Sequence, residues 1–314
     1  MHKTLRILLT ALILAGASPA GAELLFSEDS QEAVARQTPR LKAQLAKAGF
    51  EFGTPIFVRI FKQSNTLELW LQKGGKFELF RTYPICERSG ALGPKQVQGD
   101  DQAPEGFYSV NADWMHPFSD FHLAFNIRYP NDYDSLLGRT GSAIMVHGGC
   151  SSSGCFAMTD EGIEEIYTLA EAALLNGQAG FKVHVFPFPL TAANLEKNRN
   201  SRWYDFWVNL KEGYDLFEAY RIPPNEFVVD GRYEFEETST HCAVAECDAE
   251  VCETRQNAQA QALDSLWLEV MEQQARDEMA AAENARAEVL AQQELDKEKA
   301  PSGEPDRAVS NKLD

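Results

Sequence analysis

The chain has 314 residues and a formal net charge of −18, and 44% of its residues are hydrophobic. This is the composition of a globular protein with enough apolar residues for a sizeable core, in one large domain or two small ones. So negative a chain is repelled by phosphate backbones and by anionic lipid head groups, which argues against nucleic acid as a partner.

The first 22 residues have the layout of a secretory signal peptide. A short basic start with Lys3 and Arg6 precedes an apolar run over 7–17, and Ala20 and Ala22 form a small-x-small cleavage pattern. The apolar run is short for a membrane span, and a retained N-terminal anchor is the alternative. We therefore expect an exported, periplasmic protein, whose net charge falls to about −20 when Lys3 and Arg6 are removed.

The middle of the chain is predicted to be mainly β with some α, an α+β fold. A helix is expected over 28–48, with Ser30 as a possible N-cap and Gly49 ending it. Later helices are expected over 161–176, capped by Thr159 or Asp160, and over 202–220. The predicted strands are 55–61, 66–71, 77–80, 106–110, 121–129, 143–147 and 182–188.

Beyond about residue 236 the composition changes. Three evenly spaced cysteines, Cys242, Cys247 and Cys252, precede a stretch rich in Ala, Glu and Gln that favours an exposed helix with a disordered end. We expect this helix to bind a protein partner, which the sequence does not identify. The predicted domains are a signal peptide (1–22), a helical segment (23–50), a catalytic domain (51–235) and an acidic, cysteine-containing extension that is helical or disordered (236–314).

The residues with the clearest chemical potential lie in the segment 144–159. An apolar strand delivers His147, a loop rich in Gly and Ser follows, and Cys155 is expected just before a helix. An imidazole activates a thiol by taking its proton, and a helix start would favour the thiolate. Gly154 permits close substrate approach, and the backbone N–H groups of Gly154 and Cys155 are candidate oxyanion donors.

The same residues allow structural explanations. The chain has six cysteines, and one alternative is a disulfide between Cys86 and either Cys150 or Cys155. In that alternative His147 is an ordinary core histidine. A zinc site built from His147, Cys150 and Cys155 is a further alternative, but the spacing is not a standard one. We expect neither a metal nor a cofactor.

The motif His147-Gly148-x-Cys150-x-Ser152-x-Gly154-Cys155 resembles the catalytic signature of the YkuD-type L,D-transpeptidases, and in particular their YafK-like branch. The resemblance covers about residues 54–190. It implies a sandwich-like or barrel-like β domain with flanking helices. It also implies a Cys155–His147 pair with Gly148 and Gly154 in the catalytic motif, and thioester chemistry on peptidoglycan stems that contain diaminopimelate. Further matching segments are 83–86, 89–95, 99–100, 104–108, 122–127, 129–131 and 138–141.

Three departures from the wider family bear on activity. Ser153 stands where histidine is common, Ala157 stands where an arginine usually holds a substrate carboxylate, and the loop before Ser152 is shorter. These departures fit the YafK-like branch, whose resemblance implies hydrolytic release of a peptidoglycan-attached outer-membrane lipoprotein. The candidate substrate-binding residues are Lys95, Arg139, Ser152 and Ser153. For Lys95, Arg139 and the further candidate Arg128, a solvated surface role is the alternative.

Three other functions remain open at this point. An L,D-transpeptidase that forms 3–3 crosslinks or attaches protein would share the acyl-enzyme but resolve it with an amine. A non-catalytic wall-binding module would not depend on Cys155. A papain-like peptidase fits less well, because its cysteine precedes its histidine whereas here His147 comes first.

Overall fold

A computed structural model describes residues 24–152 and 154–236. The predicted signal peptide, Ser153 and the extension from residue 237 onward, with its three cysteines, lie outside the described residues. None of the helices within the described ranges is long and apolar enough to cross a membrane.

The described residues form five α-helices and twelve strands. The helices are α1 (Glu28–Ala48), α2 (Asp132–Leu136), α3 (Asp160–Leu175), α4 (Ala192–Lys197) and α5 (Tyr204–Tyr220). The first six strands are β1 (Ile56–Phe61), β2 (Thr66–Lys73), β3 (Lys76–Pro84), β4 (Glu87–Arg88), β5 (Gly106–Asn111) and β6 (Met115–Ser119). The others are β7 (His122–Asn126), β8 (Met145–His147), β9 (Phe156–Ala157), β10 (Gly180–Phe186), β11 (Asn225–Val229) and β12 (Arg232–Glu236).

The first sheet has the strand order β3-β2-β1-β10-β5 and is covered on both faces. Every residue of β1 is buried, which matches its uninterrupted apolar sequence. Alternate residues such as Val58 join the largest hydrophobic cluster, while Phe57 on the opposite face packs against Phe217 of α5. The β1 and β10 strands run parallel, and the other pairs in this sheet are antiparallel.

The second sheet has the strand order β4-β9-β8-β7-β6 and contributes one face to the same cluster. Its core-facing residues alternate with residues of the opposite face, as the pleat of a strand requires. Strands β8 and β9 are parallel, whereas the other pairs are antiparallel. A separate hairpin of β11 and β12 completes the described fold.

The ends of α1 and α3 agree only in part with the caps predicted from the sequence. The N-cap of α1 is Ser27, so the prediction of Ser30 was wrong; Ser30 sits three residues later and completes a capping box with Ser27. Gly49 ends α1 with a φ of 77°, as predicted. Thr159 caps α3 through a hydrogen bond from the backbone N–H of Gly162, which confirms that prediction.

The predicted fold class is confirmed: two sheets with a few helices form a domain of the expected mixed type. The strands of the second sheet are shorter than predicted, since β7 ends at Asn126 and β8 begins only at Met145. The predicted helical extension lies outside the described residues.

Candidate active site

The parallel pairing of β8 and β9 brings His147 and Cys155 to the same face of the second sheet. Val146 pairs with Phe156 and His147 pairs with Ala157, so Cys155, one residue before β9, lies beside Met145. The backbone N–H of Met145 donates to the Cys155 Sγ at 3.4 Å, and the thiol donates to the Ala143 carbonyl at 3.5 Å. The nucleophile candidate is therefore held by the strand that carries its expected base.

The Cys155 thiol is favoured in its protonated form. Burial raises its pKa, an effect that the Met145 N–H and the positive charge of Lys95 only partly offset. The prediction of a helix start next to Cys155 was wrong, because β9 intervenes and α3 begins only at Asp160. A macrodipole acts within about the first turn of its helix, so α3 does not supply the expected activation of the thiol.

His147 is arranged as a neutral base. Its side chain is almost fully buried, and Nδ1 lies 2.6 Å from the carbonyl oxygen of Gly148. Because a carbonyl can only accept, Nδ1 carries the proton and Nε2 is left with a free electron pair. Burial lowers the pKa of His147, which keeps the imidazole neutral near pH 7.

The ring of Phe121 packs beside the imidazole of His147, with centroids 4.9 Å apart. Phe121 is itself about half exposed and lies in the turn between β6 and β7. Within the described residues no hydrogen bond joins the imidazole of His147 to the Cys155 thiol. Proton transfer therefore requires the thiol to turn from the Ala143 carbonyl toward His147.

Two serine hydroxyls hold the turn that precedes the cysteine. The Gly154 N–H donates to the Ser89 Oγ at 2.8 Å, and the Cys155 N–H donates to the Ser152 Oγ at 2.9 Å. The Ser89 hydroxyl in turn donates to the Ser152 carbonyl at 3.1 Å. Both backbone groups predicted as oxyanion donors are thus engaged by hydroxyls in this structure. Gly154 has a φ of 108°, a conformation that favours glycine.

A disulfide between Cys86 and Cys150 ties the loop after His147 to the start of β4. Cys155 is a free thiol, so the alternative in which it pairs with Cys86 is wrong. The zinc alternative fails as well, because Cys150 is oxidised and cannot act as a thiolate ligand. The described ranges contain no cluster of three or more His, Cys, Asp or Glu residues suited to a metal ion.

Gly148 lies where no side chain fits. A Cβ at this position would come within 2.7 Å of the Asp160 Oδ1 and 2.9 Å of the Phe121 carbonyl oxygen. The same carboxylate oxygen accepts the Gly149 N–H at 2.8 Å, which fixes the loop against the start of α3. Gly148 therefore serves the site through close packing and through the carbonyl that orients His147.

The candidate carboxylate-binding residues Lys95 and Arg139 are both buried and already paired. Lys95 forms an ion pair with Asp100, and Arg139 donates to the buried Asp134 at 2.7 Å. The alternative of a solvated surface role is wrong for both. Arg128 is half-buried, with its guanidinium 5.4 Å from the ring of Trp114. Ser153 lies outside the described residues.

The structure adds site residues that sequence reasoning missed. Ser89 and Glu87 reach the catalytic turn from β4, where the Ser152 N–H donates to the Glu87 Oε2 at 3.1 Å. Their separation from Cys155 by more than 60 positions leaves no local signal. Ser89 lay within a segment already matched to the family, which was the only available indication.

Comparison with known proteins places the chain in a family. The YkuD family, an L,D-transpeptidase catalytic domain, matches residues 56–185. The chain is similar to the Escherichia coli (strain K12) protein named "Putative L,D-transpeptidase YafK", with 41% identity over 239 residues that cover 76% of this chain and 93% of that protein. A protein of the same name from Escherichia coli O157:H7 matches to the same extent.

Two solved structures show weaker similarity. The helical cell shape determining protein Pgp2 from Campylobacter jejuni is 17% identical, with 60% of this chain and 80% of that chain covered and a TM-score of 0.34. Bd1075 from Bdellovibrio bacteriovorus is 18% identical, with coverage of 59% and 83% and a TM-score of 0.33. At such TM-scores neither structure bears on function. The identity and coverage of the match to the Escherichia coli protein, in contrast, show the family of this chain. The chain belongs to the YkuD L,D-transpeptidase family.

Proposed function

We propose that this protein is a cysteine-dependent enzyme that acts on peptidoglycan peptide stems at diaminopimelate, with Cys155 as nucleophile and His147 as general base. The observation that carries the proposal is the β8–β9 pairing, because the free thiol of Cys155 lies beside β8. The last residue of β8 is His147, a buried and neutral histidine that the Gly148 carbonyl orients. Acyl transfer through a thiol needs a base in a fixed orientation and a nucleophile close to it.

The resting site holds a neutral thiol and a neutral imidazole. The Nε2 of His147 takes the proton from Cys155 as Sγ attacks the carbonyl carbon of diaminopimelate. The resulting imidazolium gives that proton to the leaving amine, the C–N bond breaks, and a thioester remains on Cys155. In hydrolysis, His147 then takes a proton from water, the oxygen attacks the thioester, and the thiol is restored.

Hydrolysis is the outcome that we favour over crosslinking. Ala157, at the position of the usual arginine, is fully buried in β9 and offers no cation to a substrate carboxylate. The motif that resembles the YafK-like branch implies a reaction in which the bond between diaminopimelate and the lysine of an attached outer-membrane lipoprotein is cut. Export by residues 1–22 to the periplasm is part of this proposal, since the substrate lies there.

The test uses purified mature protein and its Cys155→Ala variant with two muropeptides, followed by mass spectrometry. One muropeptide has diaminopimelate joined to a lipoprotein-derived lysine peptide, and the other is a plain tetrapeptide stem. We expect wild type alone to release the lysine peptide.

Dimers or exchanged D-amino acids from the tetrapeptide stem would make the protein a transpeptidase instead. If neither peptide changes, the site is idle and the protein is a wall-binding module. Turnover that persists in Cys155→Ala would remove Cys155 from the mechanism.

A further inference from the structure

A single transverse row of residues crosses all five strands of the second sheet and includes His147. The pairings Glu87 with Ala157, Ala157 with His147, His147 with Ala124, and Ala124 with His116 are each direct. Directly paired residues point to the same face of a sheet, so His116 shares the face of His147. Only the methyl group of Ala124 stands between the two histidines in this row.

The face that holds this row is the one opposite the hydrophobic core. The residues next to the row along β6, β7 and β8 belong to the largest hydrophobic cluster; they are Met115, Phe125 and Val146. Ala124 and Ala157, which are in the row, belong to none of the clusters. The alternation of a strand therefore directs His116 to the side on which Cys155 and His147 lie. His116, Asn126, Met145 and Cys155 are half-buried there.

His116 has no polar partner among the described residues. No hydrogen bond or ion pair involves its imidazole, unlike His122, which contacts Glu164 at 2.8 Å, and His147, which contacts Gly148. An imidazole carries at least one N–H in either protonation state, so His116 has a donor to offer to a ligand. Lys95 and Arg139 differ from it because each is already bound to a carboxylate.

The spacing suits a second contact on the same substrate. Two strand spacings separate His116 from His147, which corresponds to about 10 Å between their backbones. Diaminopimelate has an amine and a carboxyl at each end. When the carbonyl at one end is attacked at Cys155, the carboxylate at the other end is free to accept a hydrogen bond.

We propose that His116 is a substrate-binding residue that donates a hydrogen bond to the free carboxylate of diaminopimelate, on the far side of Ala124 from His147. This inference rests on the proposed function and names the group that replaces the arginine missing at Ala157. Strand β6 lies outside the catalytic motif, and the proposal gives it a role in substrate selection.

The experiment measures binding by calorimetry in the Cys155→Ala protein, in which turnover is removed. Two stem peptides are compared, one with the distal carboxylate of diaminopimelate free and one with it amidated. We expect His116→Ala to weaken binding of the free acid roughly tenfold and to leave binding of the amide unchanged, because a hydrogen bond to a charged group is lost only with the acid. His116→Gln retains a donor and should recover most of the difference.

Asp120→Ala, an exposed change in the adjoining β6–β7 turn, is the matched control and should alter neither affinity. The inference would be overturned if His116→Ala weakened the binding of both peptides equally, or the binding of neither. It would also be overturned if neither peptide bound to the Cys155→Ala protein. Turnover by wild type is measured separately, so failure of the proposed function and failure of the His116 contact give different results.

Discussion

The two five-stranded sheets share one hydrophobic cluster but differ in what covers their other face. The first sheet buries His184 completely between the rings of Phe57 and Phe107, and neither of its ring nitrogens has a hydrogen-bond partner. The second sheet holds His147, which is also buried, but its Nδ1 contacts the Gly148 carbonyl and Cys155 lies just before the adjoining strand β9.

The difference explains why one histidine is structural and the other is suited to catalysis. Burial lowers the pKa of both, so burial alone does not distinguish them. His184 is enclosed by aromatic rings from both sides, whereas His147 is oriented by a backbone acceptor and lies on a face with half-buried polar groups. A perturbed pKa indicates a functional site only when geometry supports it.

The largest effect on activity is expected from His147→Gln. Loss of the general base should lower kcat/KM by about 10²- to 10⁴-fold. In wild type, kcat/KM should fall as pH decreases only below the ordinary range of histidine, because burial lowers the pKa at which His147 becomes protonated and ceases to be a base. The measurement is a pH series of initial rates with the lysine-bearing muropeptide.

The matched histidine control is His122→Gln. His122 lies in β7 of the same sheet, and the change removes the contact of its imidazole with Glu164 of α3. His122→Gln should leave the pH dependence of kcat/KM unchanged. An acid limb in wild type above the ordinary range of histidine, or an equal loss of activity in His122→Gln, would contradict the role assigned to His147.

The largest effect on stability is expected in the first sheet, from Phe217→Ala. Phe217 is fully buried, with ring centroids 4.7 Å from Phe57 and 5.0 Å from Trp70. Its truncation should lower the free energy of unfolding by about 3–5 kcal/mol, measured by urea denaturation, because the lost contacts leave a cavity. Activity per folded molecule should persist.

Val208→Ala in the same helix is the control, since Val208 is partly exposed and should cost less than about 1 kcal/mol. Similar losses in the two variants would show that α5 does not cover the first sheet as described.

A smaller effect is expected from Ser89→Ala. The change removes the hydroxyl that accepts the Gly154 N–H and donates to the Ser152 carbonyl. The loss of about 1 kcal/mol of loop stabilisation should lower kcat roughly fivefold. The control is Ser64→Ala in the β1–β2 turn, where the hydroxyl contacts Thr66. A higher kcat in Ser89→Ala would mean that the hydroxyl competes with the substrate for the Gly154 N–H.

The sequence was informative where the signal is local. The apolar run 143–147 predicted the strand that delivers His147, and Thr159 was identified as a cap, because these features depend on neighbours within a few residues. The family motif supplied Cys155 and His147 as the candidate pair for the same reason.

The sequence was uninformative where register decides. The row from Glu87 to His116 combines one residue from each of five strands, and a shift of one residue in any strand would turn its side chain to the other face. The burial of Lys95 and Arg139 depends likewise on partners in the folded chain, Asp100 and Asp134, that composition does not reveal.

The central claim, a thioester on Cys155, is tested most directly by intact-mass spectrometry of wild type quenched in acid soon after mixing with the lysine-bearing muropeptide. The account predicts an adduct equal in mass to the stem without its leaving amine, located on the peptide that contains Cys155 and absent from Cys155→Ala. Release of the lysine peptide by Cys155→Ala at the wild-type rate, or an adduct on another residue, would contradict it.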